Sequence, residues 1–77
     1  MNNQRRKRLS KINDQLETLK EQLQLDIIDA EQEAYDNMPE SLQYSEKGDR
    51  MEEIISTLMD AVSNIEEAID SITEAQE

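Results

Sequence analysis

A chain of 77 residues with 19 acidic and eight basic side chains, a net charge of −11, no cysteine and no histidine excludes much chemistry at once. Without cysteine there is no disulfide framework and no thiolate metal site, and without histidine the commonest general base and neutral metal ligand are missing. Valine, isoleucine, leucine and phenylalanine together make sixteen residues, close to the roughly 20% below which a highly charged chain stays disordered.

Order therefore rests on where those few aliphatics fall. Leu9, Ile12, Leu16, Leu19 and Leu23 follow alternating steps of three and four, a seam along one helix face. Ile27, Ala30, Ala34 and Met38 continue it, with Ile28 and Tyr35 widening the face. The step from Leu23 to Ile27 is a four following a four, a stutter that locally unwinds a supercoil. The spacing predicts one helix over about residues 3–36, about 50 Å long at 1.5 Å per residue.

A turn is expected over about residues 37–48. Pro39 drives Met38 out of the helical region and ends the first helix. Two starts for the second helix are open. Asn37 and Glu40 form a capping box with Pro39 in the first turn, which starts it near 38. Alternatively Ser45 caps and the helix runs over about residues 45–76, with Gly48 in its first turn. Tyr44 and Gly48 extend the downstream seam backwards, which favours the earlier start, and Leu42 and Tyr44 are placed to fold back onto Met38 and Tyr35.

That seam is Met51, Ile55, Leu58, Val62, Ile65, Ile69 and Ile72. Beside it runs a row of Ile54, Ala61, Ala68 and Ala75, small enough for close approach of a partner helix. On the opposite face Glu53, Asp60, Glu67 and Glu74 recur every seven residues, joined by Asp70. The reading is all-α: an antiparallel, coiled-coil-like two-helix hairpin in a single domain. One hairpin leaves half of each seam wet, so two are expected to dimerise into a four-helix bundle. Its seam would be built from Leu16, Leu19, Leu23, Ile55, Leu58, Val62, Ile65 and Ile69.

Charge is unevenly spread. Residues 1–20 hold six bases against two acids, and residues 21–77 hold two bases against seventeen. Cations at a helix start and anions at a helix end both oppose the helix dipole. In an antiparallel hairpin the two ends lie side by side, and mutual neutralisation is one reading of the cluster Arg5, Arg6, Lys7, Arg8 and Lys11. Contact with nucleic-acid phosphates is a second, and an unordered tail or expression context a third. The acidic face likewise reads as a solubilising surface or as a row of carboxylates that mimics a nucleic-acid backbone.

Enzyme chemistry finds no footing: no nucleophile–base set, no glycine-rich phosphate loop and no aromatic-lined cleft. No cofactor and no metal site are expected. No apolar run approaches the roughly 20 residues of a membrane span, and the basic start lacks the apolar region of a secretory signal. The expected location is the cytoplasm.

The segment from Glu31 to Gly48, with its core Asn37-Met38-Pro39-Glu40-Ser41-Leu42-Gln43 followed by Ser45-Glu46-Lys47-Gly48, resembles small acidic helical proteins of phages and integrative elements. Basic starts and acidic ends recur in that group, so the likeness covers nearly the whole chain. It carries over no catalytic or binding residue. It implies a context, the host cytoplasm, and a partner that is a host nucleic-acid-binding or defence protein, as for an anti-CRISPR. The ridge residues Glu53, Asp60, Glu67, Asp70 and Glu74 are the expected contacts. Three other roles stay open: a structural oligomeric scaffold, an RNA- or DNA-binding hairpin using the basic start, and an oligomer that sequesters a nucleotide.

Overall fold

Capping and periodicity set the elements. Asn2 accepts a hydrogen bond from the backbone of Arg5 and opens α1, Asn3–Gln22. The computed structural model describes all 77 residues, all of its regular elements are helical, and α1 passes without a break into a π segment at Leu23–Ile28. There Asp29 N–H reaches the Gln24 carbonyl, five residues back. The reason lies in the contact face, which runs through Leu16, Lys20, Gln24 and Ile28 in consecutive steps of four. An α-helix would rotate such a row away from its partner, and the wider π turn absorbs the extra residue. The sequence stutter is thus the site of the π segment. From Asp29 the chain continues as α2, Asp29–Asp36.

The turn is built differently from the capping-box alternative. Asn37 closes α2 as its C-cap, and Pro39, with extended ψ of 144°, precedes the single-turn α3, Glu40–Gln43, without a side-chain cap. Ser45 is the true N-cap of α4, Glu46–Gln76, accepting from Gly48 N–H. Tyr44 does not extend the seam: it is 79% exposed. Tyr35 is instead held by Gln43, whose Nε2 donates to the Tyr35 carbonyl at 2.9 Å.

Four long-range contacts show α1–α2 and α4 side by side and antiparallel. Arg6 Nε donates to the Gln76 carbonyl (3.0 Å), and Asn13 Nδ2 to Thr73 Oγ1 (3.1 Å). Lys20 lies 3.6 Å from Glu66, and the Tyr35 hydroxyl donates to Glu52. The resulting rod measures 58 × 16 × 11 Å with a radius of gyration of 17.3 Å, against about 11.5 Å for a compact domain of this length.

The core is thin. Only Ile28, Gly48, Ile55, Val62 and Ile69 are buried, and no side chain is fully enclosed. Ile55, Val62 and Ile69 are seven apart and face the first arm, with Leu23, Tyr35 and Leu58 packed around Ile28, Ile55 and Val62. On the first arm the expected seam is only half used. Leu9, Leu16, Leu23 and Met38 are half-buried, whereas Ile12, Leu19, Ile27, Ala30 and Ala34 are exposed. Asn13, Lys20, Ile28 and Tyr35 take the inward positions, and Glu31 is half-buried at their side. The contact is centred about one residue later than the aliphatic seam because Asn13, Lys20 and Tyr35 find polar partners on α4. The alkyl stem of Lys20 covers apolar surface on the way.

Candidate functional site

The acidic ridge follows from heptad spacing on one uninterrupted helix. Glu53, Asp60, Glu67 and Glu74 step along α4 at intervals of about 10.5 Å, and all four are exposed, as is Asp70 between the last two. Glu53 pairs with Arg50 at 3.4 Å, with both side chains about two-thirds exposed. Such a pair is worth little in water. Asp60, Glu67, Asp70 and Glu74 have no cation within ion-pair distance. Four exposed carboxylates without a paired cation on one helix present a directional negative field.

The basic start sits at the same end of the rod as the end of α4. Mutual neutralisation by ion pairs does not occur. Only Arg6 engages α4, and it does so through the carbonyl of Gln76 and not through Glu74 or Glu77. A guanidinium on the last carbonyls of a helix complements the dipole there, so the compensation exists in a different form. Arg6 also bonds Asn3 at 3.2 Å. Arg5, Lys7, Arg8 and Lys11 are exposed and unpaired. The ridge and the basic cluster therefore stay separate surfaces. Of the expected oligomer seam, Ile55, Val62 and Ile69 are buried within the chain itself, Leu16, Leu23, Leu58 and Ile65 are half-buried, and Leu19 is 54% exposed.

No group of three or more carboxylates converges in a ligand-like cluster. No helix is long and apolar enough to cross a membrane. The concavities are open grooves along the rod; the largest lies beside Lys11, Asp14, Gln15, Thr18 and Leu19, outside the helix–helix contact.

Sequence reasoning missed the polar latch between the arms. Asn13 bonds Thr73 and, more weakly, the Ile69 carbonyl at 3.4 Å, while its Oδ1 is buried without a partner. Lys20 bridges Glu17 and Glu66, and these carboxylates hold its ammonium above the ordinary lysine range, the Glu17 hydrogen bond first. The available signal was that Asn13 and Lys20 lie seven apart, each four residues after a seam leucine. Polar groups at such positions set register more than they add stability.

The third latch is Tyr35 with Glu52. The hydrogen bond that the phenol donates to this carboxylate pushes the Tyr35 pKa up to about 12, with loss of hydration and the Glu52 charge acting the same way. Ionisation would remove the donor and set two anions together. The folded value lies above the unfolded value of about 10, so the contribution is complete below about pH 10 and is lost as pH rises towards about 12. A Tyr44→Phe variant leaves Tyr35 as the only phenol. Its phenolate absorbance should rise with a midpoint near 12, and adding Glu52→Gln should move that midpoint down towards the free value. A midpoint near about 10 in the presence of Glu52 would mean the latch is open in solution.

No family model, curated protein or solved structure matches the chain.

Proposed function

We propose that this chain is a non-enzymatic interaction protein whose acidic ridge docks in the basic groove of a nucleic-acid-binding or defence protein. The observation that carries the reading is the freedom of Asp60, Glu67, Asp70 and Glu74: exposed, unpaired and aligned on one face of a 31-residue helix. Long-range attraction between such a row and a basic groove speeds encounter and weakens with salt. The resemblance of the turn to proteins of phages and integrative elements supports a host target of the kind that anti-CRISPR proteins meet. The working form is a hairpin paired with a second copy as a four-helix bundle, which displays the ridge twice.

The test compares three tagged forms in capture from host lysate. These are the wild type, a ridge variant (Glu53→Lys, Asp60→Lys, Glu67→Lys, Glu74→Lys) and an equally recharged control on the first arm (Asp14→Lys, Glu21→Lys, Asp26→Lys, Glu33→Lys). Wild type and control should recover the same DNA- or RNA-handling protein, with recovery falling as salt rises. The ridge variant should lose it at unchanged helicity. Equal recovery by all three, or none by the wild type, would remove the mimicry reading.

A second reading rests on the unpaired Arg5, Lys7, Arg8 and Lys11. It makes the basic start a nucleic-acid contact, and it predicts a salt-dependent gel shift that charge reversal of those four residues abolishes.

A further inference from the structure

We infer that one edge of the rod is the docking face for a second, antiparallel copy of the chain. The inference rests on the paired reading above and goes further, by naming the face and the register. The polar latches mark one edge of the helix pair: Asn13 with Thr73, Lys20 with Glu66 and Tyr35 with Glu52. One residue earlier on a helix lies about 100° around, which turns Ile12, Leu19, Ile65 and Ile72 towards the other edge. Leu58 falls there seven residues before Ile65, and Ile27 lies about 100° to the same side of the buried Ile28. Ile12, Leu19 and Ile27 are 44, 54 and 48% exposed, and the three α4 residues are only half-buried.

Acidic side chains avoid this face. From Arg5 to Met38, by threes and fours with one step of five across the π segment, and from Lys47 to Ala75 on α4, it meets a single acid, Glu31, although the chain holds 19. The carboxylate ridge looks away from it. Face-to-face pairing is thus an association in which two chains of charge −11 keep their ridges apart. The exposed area points to the same occupant. The chain exposes 5866 Å², whereas a compact monomer of 9.0 kDa exposes about 4,850 Å². The excess, about 1,000 Å², matches the roughly 800 Å² that each partner gives to a standard interface.

The direction follows from the twofold axis. With the axis crossing the middle of the rod, Leu19 meets its own mate, Ile12 meets Ile27 and Leu58 meets Ile72. Arg8 then comes level with the partner's Glu31, the one acid on the face. The alternative, turn beside turn, would stack the two more acidic halves: between the level pair Lys20 and Glu66 inclusive, the chain carries thirteen acids and three bases.

The absence of cysteine makes the test clean. Sedimentation at micromolar to sub-millimolar concentration should give twice the 9.0 kDa chain mass. Leu19→Cys should cross-link to itself on oxidation or with a short bis-maleimide, and Ser63→Cys, near the latched edge, should not. Arg8→Glu or Glu31→Arg alone should raise the dimer dissociation constant about tenfold, since each contact occurs twice by symmetry, and the double reversal should restore it within about threefold. A monomer at all concentrations would overturn the pairing and the face together. A dimer that cross-links through Ser63→Cys, or one that the double reversal does not restore, would overturn this face and register and leave pairing intact.

Discussion

Replacing Gly48 with alanine should lower the thermal midpoint by about 10–20 °C, the response of a domain this small to a loss of about 2–4 kcal/mol. Gly48 is buried in the first turn of α4, where the end of α3 crosses it. A Cβ built there would lie 2.0 Å from the Gln43 carbonyl oxygen, 2.5 Å from the Gln43 carbonyl carbon and 2.7 Å from the Leu42 oxygen. These are backbone atoms, so no rotamer change relieves the contact. Relief requires α3 to lift off α4, which breaks the Ser45 cap and the Gln43 bond to Tyr35. Helix propensity works the other way, since alanine in a helix is favoured by about 1 kcal/mol over glycine. The clash should win because three backbone atoms lie closer than any Cβ contact tolerates, and overpacking of that kind outweighs a gain of about 1 kcal/mol. Thermal unfolding followed by circular dichroism measures the balance. An unchanged or raised midpoint would mean that propensity dominates and that α3 does not hold its place against α4.

The second large effect separates two adjacent isoleucines. Ile28→Ala should cost about 2–4 kcal/mol, whereas Ile27→Ala should cost less than about 1 kcal/mol in dilute monomer. Ile28 is 9% exposed and packs with Ile55 and Val62; Ile27 is 48% exposed. Their inequality is a direct consequence of the π segment, which rotates Ile28 inward. Denaturant unfolding of both variants at low concentration decides the matter. Equal costs, or a larger cost at Ile27, would mean that the first helix is regular through Leu23–Ile28 and that its inner face follows the aliphatic seam. At higher concentration the Ile27 variant should lose more, because Ile27 lies on the face assigned to the second copy.

Much of the fold is legible in residue spacing. Helical class follows from steps of three and four, because a helix buries one stripe and the stripe is written in the spacing. The stutter at Leu23 locates the π segment, and the heptad carboxylates locate the ridge, since both depend on period alone. Ser45 and Gly48 are visible as a cap and a first-turn residue, but Asn37 with Glu40 is an equally well-formed alternative. Local capping energies of about 1 kcal/mol cannot choose between them. The choice falls to the packing of α3 against Gly48, a contact between segments.

By itself, then, the sequence determined the helices, the acidic ridge and the segregated basic start. Each is a property of residue type and interval along one chain. The tertiary structure alone decided which edge of the first helix turns inward. Aliphatic spacing defines a stripe about 100° wide, and Asn13, Lys20 and Tyr35 rotate the contact within that width by bonding Thr73, Glu66 and Glu52. It also decided that Arg6 meets the Gln76 carbonyl and that Arg5, Lys7, Arg8 and Lys11 stay unpaired. Those outcomes turn on the distance between atoms some seventy positions apart, which no local interval encodes.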